Sequence, residues 1–143
     1  MSVAAMLSRK PAETITVEAT QSIKDAAALL AEKKIGAVVV TENGDTVVGI
    51  LSERDVVRGL SARGASVLTL RVADLMTSPV MTCTRSDNAD DVMKRMSEGR
   101  FRHMPVVEGD KLVGVVSIGD VVKNRIATLE HETEAMRGYI MTG

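Results

Sequence analysis

A fourteen-residue phrase occurs twice in this chain. GDTVVGILSERDVV at 44–57 returns as GDKLVGVVSIGDVV at 109–122, sixty-five positions later, with eight of the fourteen residues identical. Glycines, a serine and an aspartate recur in fixed register, so apolar patterning alone does not account for the match. The chain is a duplicated unit, and its fold must arrange two copies of one small motif.

At 143 residues the length suits one compact domain, or two halves of about 65 residues that share a core because neither buries enough surface alone. Hydrophobic residues make up 45% of the chain, mostly Val, Ala, Leu, Ile and Met, with Phe101 and Tyr139 as the aromatics, so the core is aliphatic. The nine methionines read as filler for that core. The net charge of −1, from 18 basic and 19 acidic residues, gives no bulk attraction to nucleic acid or to a membrane surface. Any phosphate must therefore be held by local geometry. A single cysteine, Cys83, excludes an internal disulfide, and its alignment with Val17 marks a core position. Without a signal peptide or an apolar run of about 18 residues, the expected setting is a reducing cytoplasm.

The repeat extends upstream of the phrase. With one residue dropped, Ile23, Ala26, Ala27 and Leu30 match Ala89, Val92, Met93 and Met96, at the spacing of an amphipathic helix. A short strand is expected before each helix, at 14–17 and 80–83, with Ser22 and Asp87 among the helix-starting residues between. After each helix an apolar run at 35–40 or 103–107 leads through Asn43-Gly44 or Gly109-Asp110 into a second run at 47–51 or 112–116, a hairpin pattern. A closing helix opens at Ser52 or Ser117. The order in each half is strand, helix, strand, strand, helix.

Val3-Ala4-Ala5-Met6-Leu7 also rhymes with Val72-Ala73-Asp74-Leu75-Met76 ahead of the second copy. The stretch 61–70 holds Gly64, small residues and no clear period, and reads as a connection. The divisions are thus 6–60, 61–71 and 72–125, followed by a helical extension at 126–143. In that extension Val122, Ile126, Leu129, Thr133, Met136 and Ile140 alternate spacings of four and three, a coiled-coil-like seam expected to meet a second copy or lie over the domain. His131 stands there among Glu130, Glu132 and Glu134, a solvated face rather than a metal set.

The repeated polar positions have two readings. Ser52 with Asp55, and Ser117 with Asp120, fit a capping box, in which serine oxygen and carboxylate satisfy orphan backbone donors; Ser22 with Asp25 fits it equally. The same helix start also leaves N–H groups and partial positive charge that suit a phosphate. An aspartate on the first turn can accept hydrogen bonds from a ribose diol. Gly49 and Gly114, just upstream, allow close packing of backbone, which a purely structural role also explains.

The two G-h-h-S-x-x-D segments, the phrase Phe101-Arg-His-Met-Pro-Val-Val107 and the duplication at this period together resemble the CBS domain, named from cystathionine β-synthase. Two tandem copies resemble the CBS pair, or Bateman module, and the likeness covers roughly residues 6–125. The resemblance implies an α/β fold of two motifs, each β-α-β-β-α, related by a pseudo-twofold axis and followed here by a long C-terminal helix. It implies an adenosine-containing ligand such as AMP, ADP, ATP or NAD(H), with Ser52 and Asp55, and Ser117 and Asp120, at phosphate and ribose. The base would meet Ile15, Ile35, Gly36 and Val115 in the Asp120 cleft, and Met81, Phe101, Arg102 and Ile50 in the Asp55 cleft. Arg102 and His103 stand where the family often places basic residues near phosphate.

The copies are unequal. Arg54 precedes Asp55, either as an ordinary surface arginine or as a charged hydrogen-bond donor to phosphate, whereas Gly119 fills the matching place; the second reading favours the Asp55 cleft for a charged nucleotide. Repeat one has Gly36-Ala37 where repeat two has Arg102-His103. Neither a Walker loop, a dinucleotide glycine fingerprint, a Ser-His-Asp arrangement nor a metal-binding cysteine cluster is present, and His103 has no paired nucleophile. The expectation is a non-catalytic regulatory protein without a catalytic cofactor, a homodimer acting on an unidentified protein. A constitutive interaction scaffold is the alternative.

Overall fold

The computed structural model describes residues 2–9 and 14–142, with side chains up to 136. Each repeat carries its amphipathic helix. In α2 (Ile23–Lys33) Ser22 caps the start by accepting from Asp25 N–H at 3.1 Å, Ile23, Ala26 and Leu30 are buried, and Lys34 ends the helix at φ 55°. In α5 (Ala89–Gly99) Ala89, Val92 and Met96 take the same places and Arg100 ends the helix at φ 56°. The cap there is Asn88, not Asp87, whose carboxylate turns back to accept from Thr84 N–H at 2.8 Å.

The hairpins follow as the sequence predicts. β2 (Ala37–Glu42) pairs with β3 (Thr46–Ser52), and β4 (His103–Glu108) with β5 (Lys111–Ser117), each with an irregularity at the same place, Val40/Thr41 and Val106/Val107. Asn43 and Gly44 turn the first with positive φ of 56° and 85°, conformations that asparagine and glycine tolerate best.

The upstream strands differ. β1 (Thr16–Glu18) runs parallel to β2, one to two residues later than the pattern at 14–17 suggests. The stretch 80–83 forms only a bridge, Cys83 to Val106, held by Cys83 N to Pro105 O at 3.0 Å and Val107 N to Cys83 O at 2.8 Å. Pro105 offers its carbonyl on that side but has no N–H, which shortens the ladder; Val39, at the same place in repeat one, pairs with Thr16.

The strands form one sheet in the order β1-β2-β3-β5-β4. The halves meet where Thr46 faces Lys111, with Val47 N to Asp110 O at 3.0 Å, Leu112 N to Asp45 O at 2.8 Å and Lys111 Nζ to Asp45 at 3.0 Å. Two hydrophobic cores result, and the segments ahead of the repeats are exchanged between them. Val3 and Met6 of α1 (Val3–Leu7) lie in the core of the second half, while Val72 of α4 (Val72–Leu75) lies in that of the first. Val3 N bonds Asp87 O at 2.8 Å and Ile23 N bonds Leu70 O at 2.9 Å, fixing both exchanges.

The stretch 61–70 is not an open connection. α3 (Glu53–Arg63) continues into it, and a 3₁₀ helix over Gly64–Thr69 buries Val67 completely. α6 (Ile118–Thr142) is one helix of 25 residues. Along it Val122 is 42% exposed, Ile126 and Leu129 50% and Met136 66%, so the seam faces solvent; the side chain of Ile140 lies outside the described residues. Among the described residues no helix is long and apolar enough to cross a membrane.

Candidate functional site

The two helix starts are built alike. Ser52 N donates to Asp55 Oδ2 at 2.9 Å and Asp55 N to Ser52 Oγ at 3.2 Å; Ser117 N donates to Asp120 Oδ2 at 2.8 Å and Asp120 N to Ser117 Oγ at 3.2 Å. Both are capping boxes. The first helical N–H is used too, Glu53 N on Gly36 O at 2.9 Å and Ile118 N on Arg102 O at 2.8 Å. Of the first-turn donors, those of Arg54 and Gly119 remain for a ligand. Each serine hydroxyl accepts one hydrogen bond in the box and keeps its own O–H to donate.

The repeated glycines sit under the opposite half's lead segment. A Cβ on Gly114 would lie 2.7 Å from Leu7 Cδ2, and one on Gly49 would lie 2.6 Å from Met76 Sδ and 2.9 Å from Thr77 O. Close approach, the structural role open to these glycines, is therefore what they serve. Thr77 also pairs with Ile50, N to O at 2.8 Å and O to N at 3.1 Å, and Ser78 Oγ donates to Val48 O at 2.8 Å.

A cavity of about 650 Å³ opens beside Ser117 and lies between the halves. Ile15, Ile35 and Ile50 line it from repeat one, and His103, Val115 and Ser117 from repeat two. Six of the candidate ligand-contacting residues thus meet in one place, Ile50 among them. Asp120 lies behind Ser117 and is partly buried. Gly36 borders His103, since a Cβ there would come within 3.8 Å of its Cε1, and Gly119 is exposed at the helix start.

The remaining residues do not join this cavity. Arg54 and Arg102 are exposed, Met81 is 49% exposed, and Phe101 packs on the core of its own half, so Ser52, Asp55 and these four stand apart. The asymmetry of Arg54 against Gly119 is real, yet the cavity lies on the Gly119 side. Cys83, 2% exposed, is a core residue whose thiol is pushed up from 9.0 to about 11 by burial, with Asp87 adding and Arg95 opposing.

Sequence reasoning missed Leu7, Ser8, Thr14, Val113 and Arg85 on the cavity wall. Arg85 was within reach: with Cys83 aligned to Val17, it stands where repeat one has Ala19, a third cation present in one copy only. Its side chain bonds Glu108.

The CBS domain model matches residues 3–62 and again 72–127. The CBS domain-containing protein CBSX3, mitochondrial, of Arabidopsis thaliana is 32% identical over 126 residues; 85% of this chain is matched, but that covers only 61% of the relative's length. A CBS-domain-containing protein of Agrobacterium tumefaciens is 44% identical, with a TM-score of 0.81 over 87% of this chain and 92% of its own. A CBS domain protein of Pyrobaculum aerophilum, complexed with AMP, is 29% identical with a TM-score of 0.78 over 93% of this chain and 99% of its own. With both repeats matched in sequence and the paired motif matched in structure, the chain belongs to the CBS-domain family and carries two CBS domains in tandem.

Proposed function

We propose that the protein is a non-catalytic sensor that binds an adenosine-containing ligand, an AMP, ADP, ATP or NAD(H)-like molecule, in the cavity at Ser117. The phosphate sits at the start of α6 on the Ser117 hydroxyl and the Gly119 N–H, with His103 beside it. Asp120 accepts from the ribose diol, and Ile15, Ile35 and Val115 enclose the base. The observation that carries the reading is the cavity itself, which joins a helix start to apolar walls from the other half. That the Pyrobaculum protein is complexed with AMP supports it. Occupancy acts by favouring one arrangement of the halves or of an assembly.

Around Asp55, the residues Ser52, Arg54, Met81, Phe101 and Arg102 form a proposed second site. Arg54→Ala then weakens ATP more than adenosine, by about 1 to 3 kcal/mol for a charged hydrogen bond; equal losses refute the phosphate role. The solvent-facing seam from Val122 to Met136 supports a homodimer through α6. Truncation after Asn124 followed by measurement of mass in solution yields monomer, and an unchanged dimer places the interface elsewhere. One unpaired, buried thiol supports a cytoplasmic setting as part of the same proposal.

Calorimetric titration with AMP, ADP, ATP, NAD(H) and S-adenosylmethionine decides the matter. Binding by at least one is expected. Silence from all of them at millimolar concentration leaves the scaffold reading, which the capping hydrogen bonds at both helix starts favour.

A further inference from the structure

Arg85 lines the cavity at the end away from Ser117. Strand pairing fixes this placement: His103 faces Ser117, Glu108 faces Lys111, and the Arg85 guanidinium is bonded to Glu108. Glu108 is five residues along β4 from His103, about 17 Å at 3.3 to 3.4 Å per residue. The Arg85 backbone is pinned as well, because its carbonyl accepts from Ala4 N–H at 3.0 Å. Leu7, Val113 and Val115 line the wall between the two ends and carry no charge.

We infer that Arg85 is the base-reading residue of this cavity, donating hydrogen bonds to ring-nitrogen acceptors at the outer edge of a purine. The inference rests on the nucleotide reading above and deepens it. Phosphate and ribose are satisfied at Ser117 and Asp120, so the apolar stretch receives the face of the base. The base edge then lies toward Arg85, whose N–H groups can donate to its ring-nitrogen acceptors. A guanidinium has five donors and no acceptor, enough to hold Glu108 and a base together. Its pairing with Glu108 is a weak competitor, as the two side chains are 51% and 60% exposed. Alanine at position 19 leaves the matching place in repeat one without this donor, which makes base selectivity a property of one cleft.

Titration of wild type and of Arg85→Met and Arg85→Lys with AMP, adenosine and UMP tests the inference, with denaturation curves as a control on folding. Arg85→Met is expected to weaken AMP and adenosine by the same factor, about tenfold, with UMP unchanged and stability unchanged. Arg85→Lys, which keeps a donor but not the planar fork, recovers part of the loss. Equal losses for AMP and UMP reveal a merely structural role, and a loss for AMP without one for adenosine reveals a phosphate contact; either overturns the inference. Wild-type binding of AMP with its preference over UMP intact in Arg85→Met sinks this inference alone. Failure of the wild-type chain to bind AMP or adenosine sinks the nucleotide reading and the inference together.

Discussion

The helix starts at Ser52 and Ser117 share a sequence pattern and hydrogen-bond lengths within 0.1 Å, yet only Ser117 lines the described cavity. Capping is a property of the local chain and repeats with it. A binding site also needs what stands opposite, and opposite Ser117 are Ile15 and Ile35 with His103 alongside, whereas the segment at Met76 and Thr77 lies against β3 on the other side. Identical motifs in this duplicated chain therefore have unlike surroundings.

The strongest test of that contrast is at the repeated glycines. Gly49→Ala drives a Cβ to 2.9 Å from the Thr77 carbonyl, fixed backbone in a paired segment, and is expected to cost about 2 to 3 kcal/mol of unfolding free energy in urea. Gly114→Ala meets only the tip of Leu7, which can rotate, and is expected to cost about 1 kcal/mol. Equal costs would show that the two lead segments are held alike.

Next in size is the ligand contrast. Asp120→Ala is expected to weaken AMP about tenfold or more by calorimetry, near 1.4 kcal/mol, while Asp55→Ala leaves that site's affinity unchanged. A loss confined to Asp55→Ala would move the site to the other cleft. Ser52→Ala and Ser117→Ala should each lower stability by about 1 kcal/mol, the ordinary value of an N-cap, and only the second should reduce binding.

The smallest effect concerns Cys83. Cys83→Val copies the residue that repeat one has at this place and should change stability by less than about 1.5 kcal/mol. The folded thiol titrates at about 11, above its ordinary 9.0, so the folded state holds its proton after the unfolded state has lost it. Stability from this group is complete below pH 9 and falls between pH 9 and 11, a slope that Cys83→Val removes. An unchanged alkaline slope in the variant would assign it to other groups.

Much of this was legible because it depends on near neighbours in sequence. The spacing of Ile23, Ala26 and Leu30, the Asn43-Gly44 turn and the Ser-x-x-Asp boxes are all set within a few residues. Two details turned on single residues. Asn88 rather than Asp87 caps α5, since either side chain can cap and the nearer helical N–H groups decide. Pro105 was visible as a residue without a donor, but its effect on the bridge at Cys83 depends on which edge of β4 it faces.

The exchanged lead segments and the cavity wall were not legible. The likeness of 3–7 to 72–76 announces a repeat, but not that Val3 and Met6 belong to the second core and Val72 to the first. Nor does sequence place Arg85 with Ser117, since the pairing of β4 with β5 and the Arg85 to Glu108 bond relate them. By itself the sequence determined the duplicated motif, its helices and hairpins, and the capped helix starts, because hydrophobic period, turn chemistry and capping act over short range. Only the tertiary structure decided which helix start faces a cavity, because that depends on how the two halves, each with its own core, close over one another.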